Sequence, residues 1–419
     1  MTNEQLFEDF KRRAFVQYEN QESPSFRHGL NIVVKPKNLD LDSLRPTEEN
    51  QSRKIDISEE DKDKVEIIRS PKELNNYNIN DELQRFLEDF WSNPQKEEQT
   101  ELSETSHKKN LALDEKQDKV DSFNLLVTND FYLIRIKKGE VLENPLKINH
   151  YPWKNTASLV LILADEDSKS KIILNKTSQD KDSEKESMFF GQEVRVITES
   201  NSSLELVGLQ NLSRGFMNFE NKKSCINKGS YMRWADFSLG SSYERKKIFS
   251  VLNGQGAESE TRALLLSRDK QKFDIYTSSE HLNKETKSDI KTKGTVDDRS
   301  KALSRGLVGI GKKAFASEGY EKQDFLVLNK KGEADAVPNL EINNHDVQCS
   351  HGSTIGQLDR EKVFYLMSKG FSREQAKIEI VKGYFNPFLN SLDETGDEIR
   401  NEIESALIER QDEEVKNVQ

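Results

Sequence analysis

Two cysteines, Cys225 and Cys349, are all that the 419 residues contain, so the chain alone builds neither a disulfide framework nor a four-cysteine zinc or iron–sulfur site. Long apolar runs are missing too. The longest, Ala157 to Ala164 (ASLVLILA), falls far short of the roughly 18–20 residues that cross a bilayer, so no membrane span and no membrane partner are expected. The first residues, MTNEQLFEDFKRR, carry charge where a secretory leader carries an apolar core, and the cytoplasm is the expected location. Basic charge is not in excess: 63 Lys and Arg against 74 Asp and Glu give a net charge of −11. That is the wrong sign for coating a phosphate backbone, and nucleic acid is not expected as a partner. At this length one compact core is also unexpected; two or three domains, or one elongated domain with attachments, are predicted.

What is present changes character along the chain. Thr2 and Gln5 have capping-box spacing, and Leu6, Phe10, Ala14 and Tyr18 fall on one face of the helix they open, with Pro24 to end it. From about Lys35 to Asp118 the composition is polar and charged. Ser70-Pro71-Lys72-Glu73 interrupts it with helix-start chemistry. Leu83, Phe86, Leu87, Phe90 and Trp91 then recur at helical spacing, an apolar face expected to dock on the protein's own core. From Phe123 the pattern turns to short β-branched and apolar runs broken by polar turns, among them LLVTNDFYLIRI (125–136), SLVLILA (158–164), SLELVGL (203–209) and DFLVL (324–328). These read as strands. Asn175 to Ser187 reads as a solvated loop.

No helical period between the strands is long enough for a crossover, which disfavours a doubly wound α/β fold and leaves a sandwich, a barrel or a β-solenoid. Many short strands at intervals of roughly ten to eighteen residues suit the solenoid, although no crisp repeat is visible. After Gly356 helix signals return. Asp359 can cap a helix carrying Val363, Phe364, Leu366 and Met367, with Gly370 to stop it. Ser372 and Gln375 form a second capping box, with Pro387 past the end of that helix, and Ile399, Ile403 and Leu407 mark a last one. The predicted division is a helical and polar region over 1–118, a mainly β core over 119–355 and a helical region over 356–419.

Several motifs carry possible chemistry. Gly306 to Lys313 (GLVGIGKK) has phosphate-loop spacing, but Lys313 replaces the magnesium-binding hydroxyl and no long helix follows, so a glycine-rich turn is the better reading. Cys225 lies beside Lys222, Lys223 and Lys228, which could lower its thiol pKa, though an incidental thiol in a polar turn is the better reading. His281 reads as a hydrogen-bonded histidine; His28, His107 and His150 have no evident partner. The dense cluster is His345-Asp-Val-Gln-Cys349-Ser-His351-Gly. In an extended chain Cys349 and His351 share a face, about 7 Å apart along the strand. A thiolate and an imidazole so placed suit a soft metal or an iron–sulfur species but leave its coordination incomplete. A structural role and a cysteine–histidine hydrolase remain open alternatives on these residues alone.

The stretch Val337 to Ala376, VPNLEINNHDVQCSHGSTIGQLDREKVFYLMSKGFSREQA, resembles the C-terminal signature of the SufB/SufD family of scaffolds in the Suf iron–sulfur cluster assembly system. The Cys-Ser-His-Gly run, then Gly356-Gln-Leu-Asp359 and Phe364-Tyr-Leu366, looks like the SufD branch. VLNGQGAES (251–259), HLNKETKSDIKTKG (281–294) and KALSRGLVGIG (301–311) extend the likeness, which covers about 190–390. SufB-like chains carry a cysteine where this chain has Gln323, and Glu-His-Glu where it has Cys349-Ser350-His351. The resemblance implies a right-handed parallel β-helix flanked by helical regions. It implies a scaffold that is not itself an enzyme and that pairs with a SufB-like paralogue. A SufC-like ATPase would bind its C-terminal helices (about 359–390), where Phe364, Tyr365, Tyr384 and Phe385 are the expected anchors. ATP would then be bound only by that partner. His351, with Cys349 as a weaker candidate, would ligate a transient iron–sulfur cluster at the interface with the paralogue. A SufB-like or homodimeric scaffold is the alternative. A β-solenoid carbohydrate-active enzyme is a further one, but it lacks the clustered carboxylates it would need.

Overall fold

Alternation decides which side chains go inside. In the computed structural model, which describes residues 2–21, 45–46, 53–77, 79–87, 119–178, 188–390 and 396–407, the strands form two nine-stranded sheets. The first runs, in order, β1 (Arg53–Asp56), β4 (Leu146–His150), β6 (Lys169–Thr177), β8 (Ser203–Asn211), β10 (Tyr231–Ser238), β12 (Glu258–Ser267), β14 (Lys287–Val296), β16 (Ser317–Val327) and β18 (Val347–Gln357). The second runs β2 (Val65–Ile68), β3 (Asp130–Ile136), β5 (Thr156–Ala164), β7 (Met188–Thr198), β9 (Phe216–Ile226), β11 (Tyr243–Leu252), β13 (Lys272–His281), β15 (Lys301–Ile310) and β17 (Glu333–Ile342). From β3 on, successive strands alternate between sheets and pair in parallel with the coil before and the coil after. Only β1–β4 and β2–β3, at the start, are antiparallel. This is the expected β-solenoid: Tyr231 pairs with Glu258, 27 residues on, and Lys272 with Lys301, 29 on.

The repeat that the sequence conceals lies in the turns. Asp167, Asn201, Gly229, Gly256, Glu285 and Ala316 each adopt a left-handed backbone, with φ between 53° and 69°. They stack one per coil. The N–H of each donates to a carbonyl of the next turn: Asp167 to Ser200, Asn201 to Lys228, Gly229 to Gln255, Gly256 to Lys284, Glu285 to Phe315 and Ala316 to Asp346. Non-glycine residues enter this region at a modest steric penalty, so the backbone repeats without a repeating residue.

Inside, Tyr132, Ile134, Val160, Ile162, Val194, Leu206, Trp234 and Ile248 fill the lumen of the early coils. Outside, each sheet is covered differently. The helices α1 (Asn3–Asn20) and α2 (Asn80–Leu87) lay Phe7, Phe10, Leu83 and Phe86 on Leu159, Leu161 and Ile197 of the second sheet. The helix α3 (Lys119–Leu126) packs Val120 and Phe123 on Phe189, Phe219 and Tyr243. After the short α4 (Arg360–Ser368), the helix α5 (Arg373–Leu389) and helical residues 396–407 put Val381, Phe385, Phe388, Ile399 and Ile403 on Ile173, Val207, Phe237 and Leu264 of the first sheet. Both predicted capping boxes form, at Thr2 and Ser372, and Asp359 caps α4.

Four expectations change. Leu125 and Leu126 end α3 instead of opening a strand, because packing of that turn against Phe189 overrides β propensity. Pro387 lies within α5, whose last turn is held by burial of Phe388 and Leu389 despite the missing N–H. Pro71 opens a short 3-10 helix. The polar region also supplies β1 and β2, too short to show as a period. Pro24, His28, Phe90, Trp91, His107 and most of the predicted loop before Met188 lie outside the described residues.

Candidate functional site

The solenoid ends in an open coil. β18 pairs with β16 and β17 with β15, and among the described residues no strand pairs with their far edges. The register sets Gly319 beside Cys349, Glu321 beside His351 and Gln323 beside Ser353. Paired residues of a parallel sheet point to one face. Because Gly319, Glu321 and Gln323 are buried toward the lumen, Cys349, His351 and Ser353 face the same way on the outermost layer. The structure thus brings Cys349 and His351 together on that face, with His351 exposed and Cys349 half-buried. His345 stays apart, exposed in the turn before β18. Among the described residues no three His, Cys, Asp or Glu side chains converge as a metal-binding group.

Cys349 packs against the lumen cluster of Ile290, Val308 and Ile310, and burial pushes its thiol pKa up, so a metal must displace a proton to bind the sulfur. Gly319 is required beneath it. A Cβ there would lie 2.5 Å from Val308 Cγ1, and also 3.5 Å from His281 Nε2 and 3.6 Å from Cys349 Sγ. His281 is buried with Nδ1 at 2.7 Å from Thr286 Oγ1 and Nε2 at 2.8 Å from Ser288 Oγ, which engages both ring nitrogens. Burial lowers its pKa to about 3, so the ring is neutral.

The other candidates resolve into structure. Cys225 is buried on the outer face of β9 under α2, and desolvation pushes its pKa to about 12. Lys222, one of the lysines that could have activated it, points into the lumen and pairs with Asp236. His150 lies in the lumen 3.3 Å from Asp130, its pKa lowered to about 3 by burial. Gly306 to Ile310 are strand residues of β15, and Gly306 is needed for a reason unrelated to phosphate: a Cβ there would fall 1.6 Å from Glu321 Oε1.

The helical region corrects half of the aromatic expectation. Phe364 and Tyr365 on α4 are 73% and 60% exposed. Phe385 is buried on the solenoid, and Tyr384 Oη donates to the carbonyl of Asp324 at 2.7 Å, with Lys293 Nζ donating to the Tyr384 carbonyl at 3.2 Å.

Motif reading passes over Glu321, although the alternation Ser317, Gly319, Glu321, Gln323, Phe325 puts it inside. It passes over a deeper ionic network as well. Between β6 and β11 the lumen holds Lys176, Lys222 and Lys246 with Glu220, Asp236 and Glu244. Lys246 Nζ lies 3.1 Å from both Glu220 Oε2 and Glu244 Oε1 and 3.3 Å from Asp236 Oδ1. Lys176 pairs with Glu220. Gln192, Asn218 and Gln210 hydrogen-bond its edges.

A family described as SUF system FeS cluster assembly, SufBD core domain, matches residues 149–384. The chain is 29% identical over 199 residues to an iron-sulfur cluster assembly SufBD family protein of Staphylococcus saprophyticus, to another of Staphylococcus epidermidis and to iron-sulfur cluster assembly protein SufB of Bacillus subtilis. Each match covers 48% of this chain and 43% of the relative, so the chain spans less than half the length of these relatives.

Proposed function

The chain belongs to the SufBD core family of the SUF system of FeS cluster assembly, and from that premise we propose that it is a SufD-like scaffold subunit on which a nascent iron–sulfur cluster is built. The observation that carries this reading is the pair Cys349 and His351, side by side on the inward face of the open coil. The cluster is cargo: two ligands leave its coordination incomplete, and a facing chain supplies the rest. The free edges of β17 and β18 are ready for strand pairing with a SufB-like paralogue. Exposed Phe364, Tyr365, Met367 and Phe371 offer an aromatic anchor for a SufC-like ATPase, which alone would bind ATP. The chain contributes ligands and a frame, not catalysis. The proposed location is the cytoplasm, where a free thiol such as that of Cys349 stays reduced. No helix among the described residues is long and apolar enough to cross a membrane.

A SufB-like or homodimeric role is the second reading, favoured by the likeness to the SufB of Bacillus subtilis. Gln323, where SufB-like chains have cysteine, favours the SufD-like one. The test is a complex carrying His351→Ala. It is expected to assemble and hydrolyse ATP normally while building no cluster, followed by its visible absorbance under anaerobic reconstitution. Normal cluster formation would overturn the assignment of His351. Self-association with the ATPase in the absence of a paralogue would replace the SufD-like reading by the homodimeric one.

A further inference from the structure

One coil in from the mouth, the lumen holds a carboxylate that no positive side chain among the described residues partners. Glu321 is 3% exposed, and the missing Cβ of Gly306 on the facing strand makes the space it occupies. Its Oε1 accepts from Gln323 Nε2 at 2.5 Å and the Asn339 backbone N–H favours the ionised form, whereas Oε2 has no hydrogen-bond partner. Among the described residues no cationic side chain acts on it. More oxygens in the same section are orphaned. Gln323 Oε1 is one; Thr292 Oγ1, on the register partner of Gln323, is another; Thr277 Oγ1, on the register partner of Gly306, and Ser304 Oγ complete the group. All are buried and without a hydrogen-bond partner. Native interiors rarely leave buried acceptors unpaired, and an uncompensated buried carboxylate is costlier still. Burial raises the Glu321 pKa to about 7, so a proton would neutralise it only in part near neutrality and would leave the other oxygens unanswered.

We propose that Glu321 Oε2, Gln323 Oε1 and Thr292 Oγ1, completed by water, bind a divalent cation in the lumen. One carboxylate, one amide oxygen and one hydroxyl make a hard donor set, suited to Mg²⁺, Mn²⁺ or Fe²⁺ and poorly suited to a thiophilic ion. The assignment to Fe²⁺ rests on the scaffold reading. The register then puts a hard iron site beside the softer pair at the mouth, since His351 is the neighbour of Glu321.

The experiment titrates the intact purified chain anaerobically with Mn²⁺ and follows free Mn²⁺ by electron paramagnetic resonance. One Mn²⁺ per chain is expected, with affinity at least tenfold weaker in Glu321→Gln, severalfold weaker in Gln323→Leu and unchanged in His351→Ala. Circular dichroism checks that each variant is folded, and Gln323→Leu decides if Glu321→Gln is not. No stoichiometric Mn²⁺, or wild-type affinity in a folded Glu321→Gln, overturns the site. Fe²⁺ is expected to displace Mn²⁺, and failure to do so overturns the assignment to iron. No partner is needed for this measurement. Its failure therefore leaves cluster assembly through His351 standing, and normal assembly by the His351→Ala complex leaves the cation site standing.

Discussion

In the middle coils, between β6 and β11, three lysines and three carboxylates share the lumen and neutralise one another. In the last coils Glu321 sits in the same lumen with no cationic side chain acting on it among the described residues, below a layer where His351 is exposed. The middle arrangement is closed on itself: Gly208 has no Cβ because one there would lie 2.5 Å from both Lys222 Nζ and Asp236 Oδ1. Buried ion pairs contribute little net stability compared with apolar packing, but removing one partner leaves a stranded charge. The middle is thus a region where substitution is punished in stability. The open end has few partners to strand, and under the proposed function substitution there is felt in chemistry.

Substitutions can break or sharpen that contrast. The largest expected effect is Lys222→Met, which leaves three lumen carboxylates with two lysines, Asp236 keeping only Lys246 at 3.3 Å, and should lower unfolding free energy by about 3–5 kcal/mol in a denaturant titration; a change under about 1 kcal/mol would show that the network is not a closed unit. Acid should act next. His150 and His281 have folded pKa values near 3, below the usual value near 6.5. The stability from keeping each neutral is fully present above pH 6.5 and is lost as pH falls toward 3, at about 1.4 kcal/mol per unit per ring. Denaturation midpoints should show a shallower acid slope in His281→Gln. Glu321 has the opposite sign. Its folded pKa is raised, so its contribution is present below about pH 4.5 and lost as pH rises through 7, and Glu321→Gln should flatten that window. Tyr384→Phe removes only the hydrogen bond to Asp324 and should cost about 1 kcal/mol in thermal melting. His351→Ala is the smallest in stability, under about 0.5 kcal/mol, because its side chain is exposed. A loss of several kcal/mol there would mean that the open end is built like the middle.

Much of this frame is legible in the sequence. Short β-branched and apolar runs such as 158–164 and 203–209 announce strands, and Asp359 and Ser372 announce the helices that follow the mouth. Side-chain alternation puts Cys349 and His351 on one face of a single strand, with no need of its neighbours. What stays hidden depends on register between coils. Glu321 and Gly306 are 15 residues apart in sequence, and only the closure of a coil brings the carboxylate into the glycine's notch. Lys222 and Asp236 look like surface residues until the lumen is seen to hold both. Helical spacing gives Phe364, Tyr365, Tyr384 and Phe385 equal standing, because a face can be read from one helix but not what covers it.

The stacked left-handed turns have a consequence for size. These six turns make the same hand-over to the next through one backbone N–H, with no fixed residue type, so the backbone hand-over itself survives the gain or loss of a whole coil. Each one sets its neighbours apart by the interstrand spacing of about 4.8 Å. The number of coils is therefore a ruler: it fixes how far the helix-covered beginning of the solenoid stands from Cys349 and His351 at its mouth. Deleting Asn253 through His281, one coil by the pairing of Leu252 with His281, would shorten that reach by a single step, whereas deleting half as many residues would turn every inward side chain beyond the cut toward the wrong sheet.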